Sequence, residues 1–389
     1  MKKKKTYLDY AATTPVDPRV LKVMLPYFSE KFGNTMSLHN FGQEAKNALE
    51  QARENVADLI GAKSDEIIFT SSATESNNLA LKGITFANKD KGRHIIISSI
   101  EHSCIIQSAE WLTSHGFKVT RLPVDKYGFV NENELEKAIK RDTILISIMH
   151  ANNEIGTIEP IKKIGEICKR KRIYFHTDAA QTFGKIFIDV NLMNIDLLTV
   201  SSHKMYGPKG AAALFIRKGI RIEPLIHGGG QEEGLRSSTI NVPAIVGFGQ
   251  ACKISKKEME KESKRLKRLR DKLIKGVLKK IPGSYLNGHP KKRLPNNANF
   301  RFDFIEGESI IIQLDLLGIA ASTGSACSSA KLEPSHVLLE IGLKPYQAHG
   351  SLRLSLGKWT KEKEIDYVLK VLPKIIKKLR NISPFKKNE

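Results

Sequence analysis

The sequence predicts an α/β protein, with a large unit built on a mostly parallel sheet and a smaller α/β unit after it. Three observations carry this. From Asp65 onward, short β-branched runs alternate with helical stretches, the signature of strands joined by crossover helices. Each run stops at a cluster of polar or small residues, as Ile67-Ile68-Phe69 does at Thr70-Ser71-Ser72. Beyond Ile254 the alternation gives way to a long lysine-rich helix and further strand candidates. Ligands of such sheets bind beyond the carboxyl ends of the strands, so the clusters mark one functional edge.

Taken in order, Tyr7-Leu8-Asp9-Tyr10-Ala11-Ala12-Thr13-Thr14-Pro15 is a short lead ending in a turn. Asp17-Pro18 opens a helix through Val20, Val23, Met24 and Tyr27, with proline where a first turn tolerates it. A loop over 33–39 precedes a helix over 43–60, closed by Gly61. The run 95–97 ends at Ser98-Ser99-Ile100-Glu101-His102, and the run 144–149 at His150-Ala151-Asn152-Asn153-Glu154. The next, 173–175, ends at His176-Thr177-Asp178-Ala179-Ala180-Gln181. The run 195–200 ends at Ser201-Ser202-His203-Lys204-Met205-Tyr206-Gly207-Pro208-Lys209-Gly210, and the run 211–216 leads out of it. An apolar helix near 243–252 then leads to the basic helix, with a domain boundary expected near Ile254. The large domain is read as residues 15–254, and the small one as 1–14 with 255–389. Strands of the small domain fall near 298–304 and 352–356, with a loop through 324–333. A final helix begins at Thr360, with Glu362 and Glu364 suited to its first turn. No internal repeat occurs.

The 389 residues are 41% hydrophobic and 27% charged, the composition of a soluble globular protein with a sizeable core. No apolar run approaches the roughly 18 residues of a membrane span. Lys2 to Lys5 lead into Tyr7-Leu8-Asp9-Tyr10 rather than an apolar signal segment, so a cytoplasmic protein is expected. The four cysteines, Cys104, Cys168, Cys252 and Cys327, are far apart and form no C-x-x-C pair, so neither a disulfide framework nor a zinc site is indicated. Much of the net charge of +22 lies in the first five residues and in 256–280 and 374–387. Leu266, Leu269, Leu273 and Val277 recur at helical spacing there, so the lysines around them form a solvated helix face. Without a nucleic-acid motif or interleaved aromatics, no direct nucleic-acid binding is expected, although a positive field favours acidic partners.

The chain has no P-loop, no G-x-G-x-x-G opening a helix, no H-E-x-x-H and no G-x-S-x-G. What gathers at the functional edge is a lysine, Lys204, a strand-end carboxylate, Asp178, several hydroxyls and two histidines. Those parts suit pyridoxal 5'-phosphate, which needs a lysine for its Schiff base and a carboxylate to keep its ring nitrogen protonated. It also needs hydroxyls and N–H groups at a helix N-terminus for its phosphate; Thr74 fits that role. Singly, Asp178 reads equally well as a helix cap, His102 as a core histidine and Thr74 as an N-cap. Their coincidence at one sheet edge favours the cofactor.

With those residues in view, the sequence resembles the cysteine desulfurases of the iron–sulfur assembly type, within the class V aminotransferase group of pyridoxal-phosphate enzymes. The resemblance runs from Tyr7 to Gly357. It is densest at Ala73-Thr74-Glu75-Ser76-Asn77-Asn78, Glu101-His102, Asn152-Asn153-Glu154-Ile155-Gly156, Asp178-Ala179-Ala180-Gln181, the segment 203–210 and Gly324-Ser325-Ala326-Cys327. It implies a fold type I enzyme with a mostly parallel seven-stranded sheet in the large domain. It also implies roles. Lys204 carries the cofactor, Asp178 pairs with its ring nitrogen, Gln181 bonds its phenolic oxygen, and His102 stacks on the ring. Asn153 positions cofactor or substrate. Ala73, Thr74, Ser201, Ser202 and His203 surround the phosphate, and Thr239 reaches the phosphate of a partner subunit, which implies a homodimer. Arg353 with Asn34 holds the substrate carboxylate, a task to which the guanidinium fork is suited.

Cys327 selects the reaction. Its flanks, Ser322-Thr323-Gly324-Ser325-Ala326 and Ser328-Ser329-Ala330, are small and polar, unlike the apolar surroundings of a structural thiol. The resemblance implies that L-cysteine becomes L-alanine while its sulfur passes to Cys327 as a persulfide. From there it goes to an acceptor such as an iron–sulfur scaffold protein, or serves tRNA thiolation. No intrinsic metal is implied, although Cys327 is suited to ligate a cluster during transfer. The spacing from Cys327 to Leu332-Glu333-Pro334 resembles the long-loop group that donates to scaffold proteins. Cys104, beside His102, is read as packing. The chain departs from the family at Thr35-Met36, where proline and a small residue are usual, at Glu233 for arginine and at Ser238 for glycine; none of these removes a catalytic group. Another enzyme on the same scaffold, such as a selenocysteine lyase or an aminotransferase, and a non-enzymatic basic binding protein are the competing readings.

Overall fold

The computed structural model describes residues 5–323 and 333–384. After a short strand β1 (Thr6–Tyr7), the chain forms the helices Pro18–Met24 and Asn40–Asp58. The expected first helix breaks at Leu25, where Pro26 opens a separate short turn. The second starts earlier than expected because the His39 imidazole caps it, accepting the Gly42 N–H.

Seven strands then build the main sheet: β2 (Ile67–Thr70), β3 (His94–Ser98), β4 (Lys118–Leu122), β5 (Thr143–Ser147), β6 (Tyr174–Asp178), β7 (Leu197–Ser201) and β8 (Ala212–Ile216). Their order is β2-β8-β7-β6-β5-β3-β4. β8 runs antiparallel to both β2 and β7, and the remaining pairs are parallel. The exception has a simple cause. Residues 202–211 between β7 and β8 are too few for a crossover helix, so the chain must turn back.

Alternate residues of these strands face opposite sides. Ile67, Phe69, Ile96, Ile146, Phe175, Leu198 and Phe215 pack with Leu49, Val56, Ile245 and Phe248 of covering helices. Ile68, Ile95, Ile97, Leu145, Leu197 and Leu214 pack with Leu81, Ile105 and Leu112 on the other side. Burial on both faces is why the strands read as unbroken apolar runs. The strand absent from the sequence reading, β4, is the partly exposed edge, and its Lys-Val-Thr-Arg-Leu carries no such run.

The expected pair of helices around Ile254 is a single helix, Val242–Lys280. It contains no proline after its first turn, and residues 253–275 are dominated by strong helix formers, so nothing interrupts it. Its first half joins the sheet core, while Leu266, Leu269, Leu273 and Val277 enter a separate apolar cluster. That cluster also holds Leu8 and the side chains of a three-stranded antiparallel sheet, β9 (Ser284–Leu286), β10 (Asn297–Phe302) and, after β11 (Ile319–Ala320), β12 (Ser351–Ser355). β1 pairs with β11, so the N-terminus belongs to this second cluster. The last helix, Glu362–Ile382, covers it, and Glu364 accepts the Lys361 N–H at its start.

Candidate active site

Five strand ends and one strand of the smaller sheet deliver side chains to a cavity of about 360 Å³. Beyond β2, Ser72 caps the helix Ala73–Asn78 by accepting the Glu75 N–H. That helix continues through a π-turn over Leu79–Gly83, so its positive end, with Ser72, Ala73 and Thr74, faces the cavity. Beyond β3, His102 caps the helix Ser103–Thr113. Beneath it Glu101 is fully buried, one oxygen accepting from Ser98 Oγ and from the Met149 N–H, each at 2.7 Å. Burial pushes this carboxyl up to about 8.

After β5 the chain turns on Asn152, whose Oδ1 accepts the N–H groups of Glu154 and Ile155. Gly156 has φ +78°, and a Cβ there would meet Asn297 Oδ1 at 2.7 Å, so only glycine fits. The turn places Asn153 on the cavity wall. β6 ends on Asp178, which accepts from Asn77 Nδ2 at 2.7 Å and from the Ala180 N–H at 2.9 Å. Gln181 donates to the Ala11 carbonyl at 2.9 Å, and its buried Oε1 has no partner among the described residues.

β7 ends at Ser201, and a tight turn over Ser202–Lys204 presents the lysine. Its Nζ donates to the carbonyls of Ala11 and Ala12 at 2.7 and 2.6 Å. The turn is held under strain: Tyr206 has φ +69°, a region unfavourable to side chains. Thr14 Oγ1 accepts the Tyr206 N–H there. Gly207 passes so close that a Cβ would lie 2.0 Å from Ser202 Oγ. His203 approaches Thr13 Oγ1 at 3.0 Å, and burial, then the charges of Lys204 and Lys209, push its imidazole down to about 4. Arg353 reaches in from β12, only 2% exposed. It donates to the Asn153 carbonyl at 3.0 Å and pairs with Asp9 at 3.1 Å.

Of the residues expected from the sequence, Ala73, Thr74, His102, Asn153, Asp178, Gln181, Ser201, His203, Lys204 and Arg353 line this cavity. Ser202 is buried beside Ser201, its Oγ without a partner among the described residues. Asn34 and Thr239 do not line it; the Asn34 side chain accepts the Met36 N–H, and Thr239 is exposed. Cys327 lies outside the described residues. Cys104 packs as expected and does one thing more. It packs against the apolar cluster under the sheet, yet it also lines the cavity, with Sγ 3.0 Å from His102 Nδ1. Sequence reasoning missed Lys185. Largely buried, it donates to the Gln181 carbonyl at 2.9 Å. Burial, then the charge of Lys204, push its ammonium down to about 7. Its signal in the sequence was a lysine four residues after Gln181 in an otherwise uncharged segment.

Lysine, carboxylate, helix N-terminus and buried hydroxyls therefore converge on one cavity. The Aminotransferase class-V family model matches residues 6–368. The chain belongs to the class V aminotransferase family, and its fold is that of the type I pyridoxal-phosphate enzymes. Its relatives narrow this to the cysteine desulfurases. Cysteine desulfurase IscS of Dictyoglomus turgidum is 55% identical over 384 residues, 99% of this chain and 98% of the relative. The IscS of Methanosarcina thermophila is 55% identical over 386 residues, 99% of this chain and 95% of the relative. A solved NifS-like protein superposes with a TM-score of 0.91 at 41% identity, covering 97% of this chain and 100% of the other. SspA in complex with cysteine superposes at 0.79 with 40% identity, covering 90% and 99%.

Proposed function

We infer that this protein is a pyridoxal-phosphate-dependent cysteine desulfurase acting as a homodimer in the cytoplasm. The observation that carries the reading is the meeting of Lys204, Asp178, His102 and Arg353 around one cavity, although Arg353 comes from a different sheet. The residues fit the cofactor. Gln181 Oε1 is a buried acceptor awaiting a hydroxyl, Asp178 stands ready for a ring nitrogen, and the helix opening at Ala73 suits a phosphate. Bound there, pyridoxal phosphate supplies the electron sink that makes the Cα proton of an amino acid removable.

The protein does the rest. Arg353 takes the carboxylate of L-cysteine and orients the Cα–H bond. The amine of Lys204 accepts the Cα proton, while Asp178 keeps the ring nitrogen protonated by remaining ionised. Cys327, as thiolate, attacks the substrate sulfur. A sulfur–sulfur bond forms, the Cβ–S bond breaks, Cβ takes the bonding pair and then a proton, and Lys204 returns a proton to Cα, leaving L-alanine. The persulfide on Cys327 passes to an acceptor, either an iron–sulfur scaffold protein or a thiolation pathway.

The large domain of this enzyme is residues 15–254, and the small one is 1–14 with 255–389, joined through the helix Val242–Lys280. Thr239 and Asn34 serve a site completed across the dimer. Leu25, Phe28, Phe32, Leu38 and Phe41 support this, because they expose a run of large apolar side chains near Asn34 of the kind that marks an interface.

The test has two arms. The purified enzyme is expected to absorb at about 420 nm, as a lysine–pyridoxal Schiff base does, and to lose the band in Lys204→Ala. Cys327→Ser is expected to keep the band and lose sulfur release from L-cysteine. Undiminished release by Cys327→Ser refutes the desulfurase reading.

A further inference from the structure

The thiol of Cys104 is not used by the reaction above, yet it stands inside a directed hydrogen-bond chain. Asn77 is completely buried. One hydrogen of its amide goes to Asp178 Oδ2 at 2.7 Å, and Nδ2 also lies 3.2 Å from Cys104 Sγ. Sγ in turn lies 3.0 Å from His102 Nδ1. An ionised carboxylate only accepts, so Asp178 sets which end of the Asn77 amide faces it. Sγ then receives the second amide hydrogen, and its single proton points to His102 Nδ1. The backbone N–H of Cys104 donates to the same nitrogen at 3.2 Å. A main-chain N–H has no acceptor role, so Nδ1 carries no proton and the neutral ring carries its proton on Nε2.

We propose that Asn77 and Cys104 are positioning residues that hold His102 as the Nε2–H tautomer and tie its ring to the carboxylate of Asp178. The consequence for catalysis rests on the cofactor reading: a neutral imidazole can face a protonated pyridine ring without opposing a second cation to it. The tautomer itself does not rest on that reading. Among the described residues, the other titratable groups lining the cavity are Asp178, His203, Lys204 and Arg353. Glu101 is buried next to His102 in the chain, and its carbonyl accepts from His336.

Holoenzyme labelled with nitrogen-15 histidine reports the tautomer directly by NMR, with His102 assigned by its absence from His102→Gln. The expected spectrum has an unprotonated Nδ1 and a protonated Nε2 at neutral pH; a neutral ring protonated on Nδ1 overturns the proposal. Cys104→Ala keeps the backbone donor and deletes the thiol. The midpoint for forming the imidazolium is then expected to rise by about 0.5–1 pH unit, the equivalent of one lost hydrogen bond, and Cys104→Ser is expected to restore it. A His102 resonance and midpoint unmoved in Cys104→Ala also overturn the role of the thiol. The readout needs no turnover. A wild-type protein lacking the band at about 420 nm refutes the cofactor reading instead, and the tautomer result still stands or falls by itself.

Discussion

The ammonium of Lys204 donates to the carbonyl of Ala12 across 2.6 Å, although 192 positions separate them in the chain. The neighbouring Ala11 carbonyl accepts from both Lys204 and Gln181. The N-terminal lead thus forms one wall of the site and holds the lysine by main-chain dipoles. The second buried lysine, Lys185, is near enough to feel the charge of Lys204.

Arg353 is held at both ends, by the Asn153 carbonyl and by Asp9. Lysine at this position keeps the charge and loses the fork. Arg353→Lys is expected to raise KM for L-cysteine about tenfold to a hundredfold, the worth of one or two charged hydrogen bonds. Steady-state kinetics check this, and an unchanged KM removes Arg353 from the carboxylate site.

The loop leading to Thr239 is anchored by a buried ion pair. Arg53 donates to both oxygens of Glu232, at 2.7 and 2.8 Å, and Glu232 also accepts the Phe69 N–H. Glu232 and Glu233 both have positive φ, +49° and +56°, a strained arrangement that the ion pair holds in place. Arg53→Met strands a buried carboxylate and is expected to cost about 3–5 kcal/mol. Adding Glu232→Gln recovers part of it. Chemical denaturation of the two variants measures both quantities.

Glu101 binds its proton more tightly in the folded state, its pKa raised by burial from 4.5 to about 8. Between those values the native protein holds more protons than the unfolded chain, so this group's contribution to stability falls as pH rises. Glu101→Gln removes that dependence. The stability of the variant relative to the parent is expected to grow from pH 5 to pH 8, by at most about 1.4 kcal/mol per unit. Parallel melts across that range decide it; a difference independent of pH contradicts the buried, protonated acid.

Phe32 stacks on Phe41 with ring centroids 5.6 Å apart, on the face where Leu38 is 92% exposed. Under the proposed homodimer, the parent is expected to run as a dimer and Phe32→Glu as a monomer in size-exclusion chromatography with light scattering. Cofactor retention is expected to fall with it if Thr239 serves the partner's site as proposed.

Much of the architecture was legible because burial on both faces leaves an unbroken apolar run at each central strand. The clusters after those runs were legible as a site edge because parallel strands share one direction. The same logic hid β4, an edge strand with polar residues, and the continuity of Val242–Lys280, since a helix crossing from one apolar cluster to another changes its pattern partway. Lys185 and the link from Asn77 to Cys104 were hidden for another reason: nothing in the local sequence says which way a side chain points.

The sequence by itself determined which chemical groups the site holds, from Lys204 and Asp178 to His102 and Arg353. Residue type, and for Lys204, Asp178 and His102 a place beyond a strand end, are local properties, and the protein's family resemblance rests on them. Tertiary structure alone decided how those groups are held. Asp9 with Arg353, Asn77 with Asp178 and Ala12 with Lys204 pair across 344, 101 and 192 positions. Such pairs exist only once the sheets have packed, because a hydrogen bond is decided by tenths of an ångström that no local pattern encodes.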